Sequence, residues 1–454
     1  MPSDRAEFSV SRRRALAIGG AAAASVLSAR GIPGGGAGAD TTTEAPPVAA
    51  DSVGRVHDLG ITGSGVHVAV LDPTGFDPTH DALAGRITDI RQFGSENAVA
   101  EGTTHGTAAA AAVSSVAPDA RLSLASFRKT GEFRAAVAWA RATGADVILA
   151  PVAAHGTVPS PRSPVVRAAR NAVEAGCVVV APTGNAALGH WRAPYAALAD
   201  TDADDRRLRL RPMPDADTVA GRFVAWLVAD PSARGELTLS LLRAVDSGPA
   251  DRWDLIAVSR PVEGRPGRRV TADLTPGEYA LVVRSADTGS DPAADGDPTA
   301  RVEVTTPTHA LASPRPLGSI AAPASVPGVV GVGVLERSVD RRDTIPDDGG
   351  SGAVTGSVAP YSGRGPTVGG DTGVDVVAAP RPWDAAGEPG TSAAAARTAA
   401  AAALVLDARP GLDPAGVTRI LRASAGDVGR PGRDLSAGWG RLDIVAAVQR
   451  ARAG

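Results

Sequence analysis

The sequence predicts an α/β fold with a mostly parallel central sheet and helices on both faces. Short, continuously apolar runs at 65–71, 145–152 and 177–181 end in turn residues, as strands buried on both faces do. Helical segments at 133–143 and 164–175 alternate with these runs. Strands that alternate with helices are joined by right-handed crossovers, which place the helices on both sides of one sheet.

This alternation stops at about Ala197 and resumes after His309. Between them lie short runs of alternating polarity separated by turn residues, which predict an inserted antiparallel β-sandwich. The acidic loop 291–297 lacks a diagnostic ligand spacing, so we favour a solvated loop there and leave calcium as the alternative. The predicted organisation is an export signal at 1–39, a linker at 40–51, an α/β domain in two parts at 52–196 and 310–454, and the sandwich at 197–309.

The N-terminus predicts export. Ser11-Arg12-Arg13-Arg14 precedes a weakly apolar run at 15–29, and Ala37-Gly38-Ala39 offers a small-residue cleavage site. Paired arginines favour the twin-arginine route, and thus a secreted or cell-envelope protein, over a flexible tail. The apolar run is too short and too rich in glycine and alanine for a stable anchor, so we expect no membrane span in the mature chain.

Composition narrows the classes of partner. The net charge of −3 argues against a nucleic-acid partner. The single cysteine, Cys177, excludes an internal disulfide and lies in an apolar strand pattern. Nothing in the sequence points to an oligomeric state.

An alanine-rich segment from Ala393 to Asp407 is the strongest helix prediction in the chain. It follows the turn-forming residues 388–390, and Pro410-Gly411 end it. Ser392 therefore falls in the first turn of a buried helix. Its hydroxyl is either an ordinary N-cap or a nucleophile whose developing anion is stabilised by the N–H groups of that turn.

Three other polar residues also lie at predicted strand ends or helix starts. Asp72 comes directly after the first strand, His105 begins a second helix of small residues, and Asn185 follows the strand at 177–181. Strand ends and helix starts converge at one edge of an α/β sheet, so we expect these residues to meet Ser392. A serine becomes nucleophilic when a histidine oriented by a carboxylate removes its proton, and this chemistry requires no cofactor.

In this order, and with their neighbours, these residues resemble the subtilisin-like serine proteases (subtilases). The matching segments are 68–72, 105–107, 184–185, 390–392 and 438–443. The resemblance implies a subtilisin-like fold. It also implies that Asp72 orients the imidazole, His105 is the general base and then the acid, Ser392 is the nucleophile and Asn185 is an oxyanion donor.

The strand expected to bind substrate departs from the family pattern. Pro151, Val152 and Ala153 stand where the family favours serine, a large apolar residue and glycine. Pro151 has no N–H to donate to a peptide, and Ala153 narrows the approach. We expect an exported endopeptidase that acts on protein or peptide through an acyl-enzyme. The alternatives are a non-catalytic subtilase-like envelope protein that binds peptide and an esterase using the same site.

Overall fold

The computed structural model describes most of the chain from Ser52 onward. The described residues are 52–94, 98–157, 163–194, 197, 207–214, 216–230, 237–245, 252–262, 265–285, 297, 299–337, 354–379 and 390–454. The predicted export signal and linker, and residues 291–296 of the acidic loop, lie outside them.

The described helices and strands follow in chain order. The helices are α1 (Ser52–His57), α2 (His105–Val116), α3 (Thr130–Ala142), α4 (Pro164–Glu174), α5 (Thr391–Ala408), α6 (Pro414–Ala423) and α7 (Ile444–Ala453), with 3-10 turns at Asp81–Leu83 and Ala187–Gly189. The strands are β1 (His67–Leu71), β2 (Ile87–Gln92), β3 (Arg121–Ser126), β4 (Val147–Leu149), β5 (Val178–Pro182), β6 (His190–Pro194), β7 (Leu208–Arg211), β8 (Gly221–Ala229), β9 (Leu237–Ala244), β10 (Trp253–Val258), β11 (Arg260–Val262), β12 (Arg265–Leu274), β13 (Tyr279–Ser285), β14 (Arg301–Thr305), β15 (Ala310–Leu311), β16 (Val330–Arg337), β17 (Val354–Val358) and β18 (Val376–Ala378).

The predicted α/β architecture is confirmed. The central sheet has the order β17-β16-β5-β4-β1-β3-β2, and β18 also pairs with β16. Its pairs are parallel except for β16 with β17. Strand β2 was not anticipated, because its alternating, half-exposed residues lack the apolar run of the inner strands.

Strand side chains alternate between two cores, one on each face of the sheet. In β1, Val68 and Val70 pack into the core that also contains residues of α2, α5, α6 and α7. The intervening Ala69 and Leu71 pack into the core that contains α3 and α4. The sheet is therefore covered on both faces, as continuous apolar strands predict.

Helix α5 is buried along most of its length, from Thr391 to Val405. Its alanines pack against those of α2, among them Ala109 and Ala110. Small side chains let the two helix backbones approach closely.

The inserted segment forms two five-stranded antiparallel sheets. Their orders are β10-β9-β13-β7-β15 and β11-β12-β8-β14-β6. Apolar residues of both sheets form one core that includes Phe223, Leu239, Leu281 and Val302. Strand β6 begins at His190 and β15 ends at Leu311, so the two sheets extend beyond the predicted limits of 197 and 309. Both strands are short, and β6 ends in proline, so neither shows an alternating pattern in the sequence.

Within the described ranges, no helix combines the length and the apolar character needed to cross a bilayer. The same residues contain no group of three or more histidine, cysteine, aspartate or glutamate side chains arranged to hold a metal ion.

Candidate active site

Asp72 is placed by the end of β1. Its N–H donates to the carbonyl of Ala125 at 3.0 Å, which continues the pairing of β1 with β3. The side chain is fully buried, and its Oδ1 accepts hydrogen bonds from the N–H of Thr74 at 2.9 Å and from the hydroxyl of Thr74 at 2.6 Å. A buried carboxylate is tolerated when hydrogen bonds replace its hydration, and these donors do so.

His105 is the first residue of α2. The helix is capped by Thr104, whose hydroxyl oxygen accepts from the N–H of Thr107 at 3.1 Å. The Nδ1 atom of His105 lies 2.6 Å from Oδ2 of Asp72. Because an ionised carboxylate only accepts hydrogen bonds, we assign the proton to Nδ1, which leaves the lone pair on Nε2. The imidazole is therefore held in the tautomer that a general base requires.

Thr74 is a functional contact that sequence reasoning missed. Besides its two bonds to Asp72, its hydroxyl oxygen accepts from the N–H of Gly106 at 2.9 Å. It thus links the turn after β1 to the start of α2. The sequence pattern that could have predicted this contact is Asp72-Pro73-Thr74-Gly75, because an aspartate side chain often accepts a hydrogen bond from the residue two positions later in a turn.

Ser392 is the second residue of α5, and Gly390 occupies the N-cap position. The N-cap alternative for Ser392 is therefore wrong, because helical geometry has already begun at Thr391. The Ser392 hydroxyl donates to the carbonyl of Pro151 at 3.1 Å, and the residue is 9% exposed. Its N–H lies in the first turn, where helix N–H groups have no intrahelical acceptor.

Asn185 is held by the residue next to Ser392. Its Oδ1 accepts from the N–H of Thr391 at 3.0 Å and from the hydroxyl of Thr391 at 2.8 Å. These two donors fix the orientation of the amide, so Nδ2 is the atom that presents N–H groups. Thr391 is the second residue in contact with the site to which sequence reasoning assigned no role. Its signal was its position between the turn glycine and Ser392.

The structure thus forms two hydrogen-bonded groups at one end of the sheet. One group joins Asp72 to His105, and the other joins Asn185 to the first turn of α5. The packing of α2 against α5 connects the two groups.

The predicted substrate strand lies beside Ser392, since Pro151 accepts its hydroxyl. Val152 and Ala153 are buried. The N–H of Val152 donates to the carbonyl of Ala150 at 2.7 Å, and the N–H of Ala154 donates to that of Ala322 at 2.7 Å. Two N–H groups along this strand are therefore already used within the chain, and Pro151 has none.

Comparison with known proteins agrees with this architecture. A family model described as the Subtilase family matches residues 280–440, a range that includes Ser392. The CspB protease of Clostridium perfringens shares the fold with a TM-score of 0.55 at 14% identity, over 88% of this chain and 99% of that chain. The resemblance to the subtilase family is confirmed.

Further subtilase-like structures match with lower scores. Fervidolysin from Fervidobacterium pennivorans, described as a keratinolytic enzyme related to subtilisin, has a TM-score of 0.46 at 17% identity over 88% of this chain and 45% of that chain. A protease from Pseudoalteromonas arctica has a TM-score of 0.46 at 19% identity over 88% of this chain and 94% of that chain. No curated protein matches the sequence. Asp72, His105 and Asn185 lie outside the family match, so their roles are argued from the geometry of this subtilase-like chain.

Proposed function

We propose that the chain is an exported serine endopeptidase that cleaves peptide bonds with Asp72, His105 and Ser392. The observation that carries the proposal is the 2.6 Å contact between Nδ1 of His105 and the buried carboxylate of Asp72. This contact fixes the tautomer of His105, and the helix that begins at His105 packs against α5, which carries Ser392 in its first turn. The subtilase match over the Ser392 segment supports the same assignment.

The reaction would follow acyl transfer. Nε2 of His105 takes the hydroxyl proton while Oγ of Ser392 bonds to the peptide carbonyl carbon. The negative charge on the carbonyl oxygen is stabilised by the N–H of Ser392 and by Nδ2 of Asn185. The C–N bond breaks, the leaving amine receives the proton from His105, and water releases the acid by the same steps. Asp72 stabilises the imidazolium that forms.

Ser392 must first leave its bond to Pro151. One hydroxyl bond to a neutral carbonyl contributes about 1 kcal/mol, so rotating the hydroxyl away from Pro151 costs little compared with the catalytic barrier. We infer that the hydroxyl turns from Pro151 to His105 when substrate binds.

A second candidate is a subtilase-like protein that binds peptide without turning it over. The departure of the substrate strand from the family pattern motivates it, because Pro151 lacks an N–H and the N–H groups of Val152 and Ala154 are already bonded within the chain, so a peptide would be aligned poorly for attack by Ser392. A peptide in extended conformation finds fewer main-chain donors along such a strand.

A serine-directed fluorophosphonate separates the two candidates. The endopeptidase proposal predicts labelling of the purified mature chain, loss of labelling in Ser392→Ala, and labelling at least about a thousandfold slower in His105→Ala at neutral pH. Absence of labelling in the wild type, or equal labelling of Ser392→Ala, defeats the enzyme proposal and leaves peptide binding.

The export proposal rests on Arg12, Arg13 and the apolar run that follows them. In a bacterial host with a working twin-arginine route, we expect the full chain outside the cytoplasm and the variant with both arginines replaced by lysine inside it. Export of both forms in equal amount would contradict this route.

A further inference from the structure

A second pocket lies between α6 and the segment that precedes α7. Its volume is about 350 Å³, and it is lined by Ala415, Arg419, Arg422, Ala423 and Trp439. None of these residues belongs to the proposed hydrolase site. The pocket is near the amino ends of β16 and β18, whereas Asp72 and Ser392 are at the carboxyl ends of the parallel strands.

One wall of the pocket is a face of α6. Ala415, Arg419, Arg422 and Ala423 lie four, seven and eight residues apart along this helix, which places them on the same side of it. The guanidinium of Arg422 is fixed, because its Nε and Nη2 both donate to Oδ1 of Asp375, at 2.8 and 2.5 Å. Its Nη1 takes no part in these bonds.

Trp439 forms the facing wall, and the same aspartate positions it. The N–H of Trp439 donates to the carbonyl of Asp375 at 2.9 Å. The preceding residue, Gly438, has φ +65°, and a Cβ there would lie 2.5 Å from that carbonyl oxygen, so only glycine allows this approach. The guanidinium carbon of Arg433 lies 5.8 Å from the centre of the indole ring, and its Nη2 donates to the hydroxyl of Thr372 at 2.6 Å. Both walls are therefore held in place before any ligand binds.

The pocket carries an uncompensated positive charge. Asp375 is buried and compensates Arg422. Arg419 is exposed, and it forms no ion pair or hydrogen bond with any residue that the structure describes. The lining residues include no acidic side chain. A single uncompensated guanidinium suits a singly charged anion, and its planar array of N–H groups matches the two oxygens of a carboxylate.

The remaining lining is apolar. The indole of Trp439 is 41% exposed, an unusual exposure for so large an apolar side chain, and the methyl groups of Ala415 and Ala423 are exposed on the facing helix. An exposed indole binds flat apolar groups by stacking. Ligand pockets range from about 300 to 1,000 Å³, so this pocket has room for one residue or a small molecule.

We propose that this pocket binds a carboxylate that carries a flat apolar group. Two sources offer this chemistry: the C-terminal residue of a peptide and a small aromatic acid. Arg419 binds the carboxylate, Arg422 donates to it from Nη1, and the apolar group lies against Trp439. This binding site is independent of peptide hydrolysis, since its residues take no part in the proposed reaction.

The test measures binding to the mature chain by NMR of its tryptophan indole N–H groups. Ser392→Ala is present throughout, so that the result does not depend on hydrolysis. The sequence has six tryptophans, and Trp439→Phe identifies the Trp439 signal by its loss. The probe is N-acetylphenylalanine, which presents one C-terminal residue with its carboxylate. We expect a saturable shift of the Trp439 signal with a dissociation constant of about 1 mM at low ionic strength.

Two variants and one neutral probe test the role of charge. Arg419→Gln should weaken binding about fivefold, because it removes the uncompensated charge. Arg134→Gln is the matched control and should leave the dissociation constant unchanged. Arg134 is an exposed arginine of α3, which packs on the opposite face of the sheet from α6. N-acetylphenylalanine amide lacks the carboxylate and should bind at least about fivefold more weakly than the acid.

Phenylacetate and phenyl phosphate complete the series. Phenylacetate has the ring and the carboxylate without a peptide bond, so tighter binding than that of N-acetylphenylalanine identifies a small aromatic acid as the ligand, and weaker binding identifies a peptide C-terminus. Tighter binding of phenyl phosphate than of both carboxylates overturns the preference for a singly charged anion. The proposal is also overturned if the Trp439 signal does not shift up to about 20 mM probe, if the amide binds as tightly as the acid, or if Arg419→Gln binds like Arg134→Gln.

Discussion

Gly390 leaves the space that Asn185 occupies, so Gly390→Ala should impair catalysis without unfolding the chain. A Cβ at this position would lie 2.5 Å from Nδ2 of Asn185, 2.9 Å from Oδ1 and 3.0 Å from Cγ. Ordinary contact begins at about 3.5 Å, so the amide must retreat by about 1 Å. The backbone of Gly390 is extended, with φ −99° and ψ −154°, and lies outside the left-handed region that favours glycine.

Displacement of the Asn185 amide should slow catalysis. A retreat of that size breaks the bonds of 3.0 and 2.8 Å from Thr391 that orient the amide. Loss of one oxyanion donor lowers kcat by about 10² to 10³, equivalent to about 2.7–4 kcal/mol of transition-state stabilisation. We expect a fall of this size in the rate constant for fluorophosphonate labelling and in kcat/KM for a peptide substrate, with thermal unfolding little changed.

Two comparisons make the result decisive. Gly131→Ala adds a methyl group in α3 where nothing lies within 4 Å, and it should leave the labelling rate unaltered. The double variant Gly390→Ala with Asn185→Ala should be no slower than Asn185→Ala alone, because both changes remove one interaction. Full activity of Gly390→Ala, or additive losses in the double variant, would refute the role of Asn185.

Three further changes test other parts of the structure. Asp72→Asn removes the carboxylate that accepts the proton of Nδ1 of His105. We expect kcat/KM to fall by about 10⁴ while KM changes little. A loss confined to KM would contradict an orienting role for Asp72. Asp375 is buried, and one of its carboxylate oxygens lies 2.8 Å from Nε of Arg422, which is itself 40% exposed. Because solvent reaches the guanidinium, Arg422→Met should cost about 1–2 kcal/mol in urea unfolding, partly regained with Asp375→Asn, and an unchanged midpoint would contradict this. Burial lowers the pKa of His67 below its ordinary value of 6.5, so the unfolded chain binds the proton more readily and stability should fall as pH drops below about 6.5. His67→Gln should flatten that dependence in thermal melts between pH 7.5 and 5, and parallel curves would show that another group titrates.

The inner strands were predictable because their residues are apolar on both faces, and the helices between them because one face is apolar and the other polar. β1 and β5 show this pattern without interruption. The short edge strands were not predictable. β6 and β15 gain their stability from pairing with distant strands, β6 with β14 and β15 with β7, and the sequence of each carries little of that information.

The site was predictable as a set of residue types and less so as a set of contacts. Asp72 and His105 follow from strand ends and helix starts, and the structure brings them into contact. The hydrogen bond from Ser392 to Pro151 depends on where the chain turns after β4. The bonds from Thr74 and Thr391 depend likewise on rotamers set by tertiary packing, which sequence spacing does not determine.

Tandem mass spectrometry of the fluorophosphonate-treated chain tests the central claim most directly, since Thr391 and Ser392 are adjacent hydroxyls in one helix turn. The hydroxyl of Thr391 donates to the side chain of Asn185, whereas that of Ser392 donates to the carbonyl of Pro151. We predict a single adduct, on Ser392. An adduct on Thr391, an adduct elsewhere in the chain, or no adduct would contradict the assignment of Ser392 as the nucleophile.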